Sequence, residues 1–120
     1  MTPISLEEIT VQALKPLLGD GENSAHEKMI QLIDVREPQE LELASLPGFQ
    51  NFPLSQYQVW AETVLQQLDP HQETYVLCHH GMRSAQMCGW LIEQGFTSVK
   101  NIAGGIDAYS LKVDSNVPRY

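Results

Sequence analysis

The chain has 120 residues, 42% of them hydrophobic and 18% charged, and its formal net charge is −8. This composition is typical of a folded globular protein, and residues 1–120 are predicted to form one domain. The negative charge argues against nucleic acid and anionic membranes as partners, because both attract basic surfaces. No apolar run approaches the roughly 20 residues of a membrane-spanning helix. Without the features of a signal peptide, and with only two cysteines, the protein is expected to be cytoplasmic with reduced thiols.

The first predicted elements are a short strand and a helix. The pattern indicates a strand over Glu7–Ile9, followed by Thr10 as the N-cap of a helix over Val11–Leu18. Pro16 is expected to kink or shorten that helix. A helix start at Ser5, through a capping box with the glutamate three positions later, is an open alternative.

A loop rich in glycine and polar residues is predicted over residues 19–24, before the strongest strand of the first half. Met29–Val35 is nearly all apolar, as in a central parallel strand covered on both faces. Pro38 suits the first turn of a short helix that reaches about Ala44. Phe49–Leu54 is predicted as a third short strand or extended segment.

The next predicted helix carries an apolar stripe. Ser55 and Gln58 are predicted to form a capping box at its start. The stripe at helical spacing is expected to pack in the core rather than to bind a cofactor, and its members are Tyr57, Trp60, Ala61, Val64, Leu65 and Leu68.

The second half continues the alternation. A strand over Tyr75–Leu77, a helix from Ser84 to about Gln94 and a strand over Val99–Ile102 are predicted, and a brief helix follows Gly104 and Gly105. Strands that alternate with helices indicate an α/β domain. We expect a central, mostly parallel, five-stranded sheet with helices on both faces.

The most informative segment is the loop from Cys78 to Ser84, between a predicted strand and a predicted helix. This is where α/β proteins often place their chemistry. Loop amides and the helix dipole favour negative charge there, so Cys78 is expected to be partly a thiolate and reactive. Gly81 allows the chain to turn, and Arg83 is a candidate cation for a bound anion.

Four segments together resemble the signatures of the rhodanese family over nearly the whole chain. They are Leu32–Glu37, Leu46–Leu54, Cys78–Ser84 and Asn101–Ile106. Each is weak alone, but all four occur in the family's order. The chain therefore looks like a single-domain rhodanese, which is a sulfurtransferase with a rhodanese-like α/β fold.

The resemblance implies a double displacement at Cys78. The thiolate would take sulfane sulfur from thiosulfate or a persulfide and pass it, as a persulfide, to cyanide or a thiol. A protein thiol is a further candidate acceptor. No metal and no organic cofactor is implied. The implied substrate-binding residues are His79, His80, Gly81, Met82, Arg83 and Ser84.

Asp34 and Arg36 are expected to support the site from the end of a strand. Arg36 is expected to pair with Glu40 or another carboxylate and to brace the loop. Whether Arg83 faces the substrate or ties the loop to its neighbours stays open, as does any contact of the two loop histidines with substrate. Cys88 is expected to be a buried helix residue.

The sequence also departs from the family pattern. His79 stands where the family often has arginine, and Glu40 stands where two-domain, thiosulfate-using members place one. Both changes reduce positive charge near the mouth of the site. The alternatives are a non-catalytic binding or redox-sensing module and, less favoured, a Cdc25-like phosphatase or arsenate reductase. Those enzymes carry one more residue between the cysteine and the arginine, here Cys78 and Arg83.

Overall fold

A parallel sheet forms the centre of the protein. The computed structural model describes residues 6–19 and 29–120, and the prediction of an α/β domain with a five-stranded sheet is confirmed. The strands are β1 (Glu7–Ile9), β2 (Ile30–Asp34), β3 (Gln50–Asn51), β4 (Glu73–Leu77) and β5 (Val99–Ile102). They lie in the order β1-β5-β4-β2-β3, and every pairing is parallel. The carboxyl ends of the strands therefore share one edge, with β4 in the middle.

Helices cover both faces of the sheet. They are α1 (Val11–Leu18), α2 (Pro38–Leu43), α3 (Tyr57–Gln67), α4 (Met82–Glu93) and α5 (Gly105–Lys112), with a 3₁₀ turn at Leu54–Gln56. Successive residues of a strand face opposite sides. Leu32 thus packs with α1 and α5, and Ile33 packs with α3 and α4. No helix in the described ranges is long and apolar enough to cross a membrane.

The first helix begins as predicted. Thr10 caps α1, because its Oγ1 accepts a hydrogen bond from the Ala13 amide at 3.1 Å. Pro16 lies inside the helix, which continues through Leu18. The alternative helix start at Ser5 was wrong, because Glu7–Ile9 form a strand. Ser5 itself and residues 20–24 of the predicted loop lie outside the described residues.

One further local prediction was wrong, and one predicted segment contains a shorter strand than its full length. Of Phe49–Leu54, predicted as a strand or extended segment, only Gln50–Asn51 is a strand, because Pro53 has no amide hydrogen for a ladder and the 3₁₀ turn follows it. The capping box at Ser55 is absent, since the Ser55 hydroxyl donates to the Glu37 carboxylate instead. Helix α3 therefore begins at Tyr57.

The apolar stripe of α3 is only partly in the core. Trp60, Val64 and Leu68 are buried as predicted, whereas Tyr57 and Leu65 are 45% and 41% exposed. Helical spacing identifies a face but not how much of that face the neighbours cover.

Candidate active site

The sulfur of Cys78 lies at the base of the loop after β4. The residue is only 1% exposed, and its Sγ accepts a hydrogen bond from the Gly81 amide at 3.0 Å. The Ser84 hydroxyl lies 3.2 Å from the same sulfur. Two hydrogen-bond donors therefore face the atom that would carry negative charge as a thiolate.

Ser84 has a second partner that competes with the sulfur. Its Oγ lies within hydrogen-bond distance of Asn101 Oδ1, which can only accept, and a hydroxyl has one hydrogen to donate. The Asn101 amide nitrogen donates to the Gly81 carbonyl at 2.9 Å, which fixes the orientation of the Asn101 side chain. Ser84 can therefore donate to Cys78 Sγ only if it loses its hydrogen bond to Asn101 Oδ1.

Gly81 makes the turn that brings its amide to the sulfur. Its φ is +106°, and it is the N-cap of α4, which begins at Met82. The predicted start at Ser84 was two residues late, because the glycine ends the loop in a left-handed conformation that lets the helix start at once. The first turn of α4, with its unpaired amides and positive dipole end, thus follows directly on the loop.

The first turn of α5 holds the loop from behind. The amides of Ile106 and Asp107 donate to the carbonyls of Cys78 and His79 at 3.0 and 3.1 Å. A Cβ on Gly105 would lie 2.4 Å from both carbonyl oxygens, so this position has no space for a side chain. The loop carbonyls therefore point at α5, and the loop conformation is fixed by an element later in the chain.

Arg83 is tied to α2. Its Nη1 and Nη2 donate to the two carboxylate oxygens of Glu40 at 2.6 and 2.8 Å. The hydrogen bonds from Arg83 hold the pKa of Glu40 at about 2, and Glu40 raises the pKa of Arg83. Glu40 also accepts from the Tyr120 hydroxyl and the Glu37 amide, both at 2.9 Å. Arg83 therefore bonds to a protein carboxylate while it also lines the pocket.

Asp34 and Arg36 form a buried pair beside the loop. Arg36 is 0% exposed, and its Nη2 donates to Asp34 Oδ2 at 2.8 Å. The Arg36 Nη1 donates to the Tyr120 hydroxyl at 2.9 Å. The expected carboxylate partner is thus Asp34, whereas Glu40 supplies only its backbone carbonyl, at 3.3 Å.

The two loop histidines stack on one another. Their ring centroids are 3.9 Å apart, and the other face of His79 stacks on Tyr120, also at 3.9 Å. Burial, and then the neighbouring His80, lower the pKa of His79. Its Nε2 is buried and has no hydrogen-bond partner in the described part of the chain. His80 is exposed, with Nε2 3.9 Å from Asp107 Oδ2.

These histidines and Asp107 do not form a convincing metal site. One ligand atom from each lies within 4.8 Å of the others. The lone pairs of the two imidazoles lie in stacked ring planes inclined by only 30° and converge poorly on one ion, and Asp107 already accepts from Arg119 at 2.9 Å. The donor set therefore gives no support for a metal role.

A pocket of about 200 Å³ opens above the sulfur. Its lining residues are Cys78, His79, His80, Met82 and Arg83, and the Met82 side chain is 82% exposed at the rim. The volume is below the roughly 300 Å³ at the low end for drug-sized ligands. It has room for a small molecule or for the tip of a longer one. Gly81 and Ser84 were also predicted as site residues, and they lie within hydrogen-bond distance of the sulfur through their amide and hydroxyl.

Sequence reasoning missed the residues that reach the loop from elsewhere: Asn101, Gly105, Asp107 and Tyr120. The double glycine before α5 predicts a turn, but nothing in the sequence shows which carbonyls it approaches. Cys88 is buried inside α4 as predicted, and burial raises the pKa of its thiol to about 12.

A parallel α/β sheet with a cysteine at the base of the loop after its central strand is the arrangement that the rhodanese resemblance predicts. Residues 11–112 match the family described as the rhodanese-like domain, and the chain belongs to that family. The predicted resemblance is thereby confirmed.

Similar proteins agree with this assignment. The chain is 59% identical over 117 residues to rhodanese-like/PpiC domain-containing protein 12, chloroplastic, of Arabidopsis thaliana, covering 98% of this chain and 36% of that protein. It is 35% identical over 107 residues to adenylyltransferase and sulfurtransferase UBA4 of Debaryomyces hansenii, covering 85% and 22%. The chain thus spans well under two thirds of these relatives.

A crystal structure of similar length has the same fold. The rhodanese-related protein from Thermoplasma volcanium superposes with a TM-score of 0.67 at 27% identity, covering 93% of this chain and 95% of that one. The domain described here therefore has the architecture of a rhodanese-related protein.

Proposed function

We propose that this domain is a sulfurtransferase that carries sulfane sulfur as a persulfide on Cys78. The observation that carries the proposal is the pair of donors on Cys78 Sγ, the Gly81 amide and the Ser84 hydroxyl, at the base of an open pocket. Such donors stabilise the Cys78 thiolate, which is the nucleophile of the first step and the leaving group of the second. The sulfurtransferase name of the yeast relative supports the same chemistry.

In the first step the Cys78 thiolate attacks the outer sulfur of the donor. A sulfur–sulfur bond forms at Cys78 and the bond inside the donor breaks. The electron pair leaves with sulfite if the donor is thiosulfate, or with a thiolate if it is a persulfide. The terminal sulfur of the Cys78 persulfide carries the negative charge, within the pocket above the loop.

In the second step an acceptor nucleophile attacks that terminal sulfur. Cyanide would give thiocyanate, and a thiolate would give a new persulfide. The Cys78 thiolate is released, where the Gly81 amide and the Ser84 hydroxyl stabilise it again. The two steps need no metal and no organic cofactor. A small thiol or a protein thiol is the proposed acceptor, and the cytoplasm is the proposed location.

The test is intact mass spectrometry after incubation with thiosulfate or glutathione persulfide. We expect the protein to gain the mass of one sulfur atom, and cyanide to remove it. Cys78→Ser should gain nothing, whereas Cys88→Ser, the matched control on the other cysteine, should behave as the wild type. Absence of the adduct with both donors would refute the proposal. Turnover of p-nitrophenyl phosphate in its place would favour a phosphatase.

A further inference from the structure

The pocket above Cys78 has little net positive charge despite its arginine. Arg83 is the only lysine or arginine among the pocket-lining residues that the structure describes, and both of its terminal nitrogens bond to Glu40. The pair is bidentate, so the guanidinium fork is filled by a carboxylate of the protein itself. A bound anion would meet a neutral ion pair rather than a free cation.

The neighbouring cations are engaged in the same way. Arg36 is fully buried against Asp34, and Arg119 bonds to Asp107. Burial favours the neutral form of His79, the inner histidine of the stack. His80 faces Asp107 at 3.9 Å.

The Glu40 carboxylate also accepts hydrogen bonds from two groups other than Arg83, which hold it in place. The Tyr120 hydroxyl donates to Glu40 Oε1 and accepts from Arg36, and the Glu37 amide donates to Glu40 Oε2. These bonds keep the carboxylate oriented toward Arg83 and restrict its release when an anion enters. A thiosulfate dianion would have to compete with a fixed carboxylate for the guanidinium, whereas the persulfide of an uncharged thiol carries a total charge of at most −1.

We propose that Glu40 determines donor specificity by neutralising Arg83, so that the pocket selects persulfides of thiols over dianionic donors such as thiosulfate. This inference rests on the proposed sulfur transfer at Cys78. Glu40 is thus a specificity residue that acts through Arg83. It does not touch the reacting sulfur.

The experiment compares kcat/KM for thiosulfate and for the persulfide of 2-mercaptoethanol, whose carbon part is uncharged, in the wild type and in Glu40→Gln. The glutamine keeps the shape and one acceptor oxygen but frees the charge of Arg83. A unit charge a few ångströms away in a partly exposed site changes affinity by about tenfold. We expect kcat/KM for thiosulfate to rise about tenfold through KM, and the value for the persulfide to change by less than about threefold.

Glu42→Gln is the matched control, because Glu42 lies exposed on the same helix and its loss changes the net charge equally. It should leave both donors near wild-type rates. The double variant Glu40→Gln with Arg83→Gln restores the original charge, so its kcat/KM for thiosulfate should fall back. If Glu40→Gln lowers the melting temperature too far for assay, Tyr120→Phe loosens Glu40 and should shift preference in the same direction.

Two results separate this inference from the function on which it rests. If the wild type forms a Cys78 persulfide but Glu40→Gln and Glu42→Gln have the same donor preference, the role of Glu40 is refuted and sulfur transfer stands. Equal gains for both donors in Glu40→Gln would also refute it. If no donor loads Cys78 in the wild type, the proposed function and this inference both fail.

Discussion

Ser84→Ala removes one of the two donors on Cys78 Sγ without changing the loop backbone. Ser84 is fully buried in the first turn of α4, and alanine is favourable in a helix, so the fold should be retained. The Gly81 amide remains as the other donor at 3.0 Å. The variant therefore isolates the contribution of the hydroxyl to the sulfur anion.

The expected decrease in rate depends on the competition between Cys78 Sγ and Asn101 Oδ1 for the Ser84 hydroxyl. A hydrogen bond to a charged group contributes about 1.5–3 kcal/mol. Ser84 must give up Asn101 Oδ1 in order to donate to the thiolate, so we take the low end, about 1.5 kcal/mol. That corresponds to roughly a tenfold slower reaction. Loss of a donor to the buried Asn101 oxygen should also lower the free energy of unfolding by about 1–3 kcal/mol.

The assay is the single-turnover rate of Cys78 persulfide formation at neutral pH, with alkylation by iodoacetamide as a second measure of thiolate reactivity. Ser110→Ala is the matched control, because Ser110 is a buried helix serine whose hydroxyl donates to the Val117 carbonyl instead. It should lower stability but not the rate. Rates within about twofold of wild type for Ser84→Ala would refute the argument that the hydroxyl stabilises the sulfur anion.

Three further predictions concern the backbone and the charge around the loop. Gly81→Val should abolish persulfide formation, because φ is +106° and a Cβ would lie 3.3 Å from the Gly104 amide nitrogen; the mass assay checks this, and a near-wild-type rate would contradict it. Gly105→Ala should be inactive and unstable, because its Cβ would overlap two loop carbonyls. In Gly89→Ala, by contrast, the added Cβ in α4 meets nothing within 4 Å, so the free energy of unfolding should rise by about 0.5–1 kcal/mol. Thermal melts of both variants measure these changes. The pKa of Glu40 is lowered from 4.5 to about 2, so its stabilising contribution is full above pH 4.5 and is lost as the pH falls toward 2. Because the carboxylate is partly exposed we expect about 1–2 kcal/mol, measured by urea denaturation across that range. Glu40→Gln should flatten this dependence, and an unchanged pH profile in that variant would show that other groups control it.

The centre of the site could be predicted because its information is local. The apolar run before Cys78 indicated a buried strand, and the glycine three positions on indicated the turn. The amide that bonds the sulfur belongs to that same glycine, Gly81. The fold class could be predicted from the alternation of strands and helices, because the spacing of apolar residues within each segment indicates its secondary structure.

The surroundings of the loop could not be predicted, because they depend on which strands are neighbours. Asn101 reaches Ser84 only because β5 lies next to β4, and Glu40 reaches Arg83 only because β2 lies on the other side. Nothing in residue spacing specifies that order. The capping box at Ser55 was predicted wrongly for a related reason: a distant carboxylate, Glu37, takes the hydroxyl.

The hydrogen bonds from α5 to the loop carbonyls affect which residues of such a domain can change without altering the loop backbone. The backbone that surrounds the sulfur is set by hydrogen bonds from Ile106 and Asp107, and not by the side chains at 79, 80 and 82. Residue types at those three positions can therefore change while the backbone amide dipoles around the sulfur keep their positions. New donors could be accommodated by substitution at the rim alone, and the polar groups would need no rearrangement when charge moves from one sulfur atom to the next.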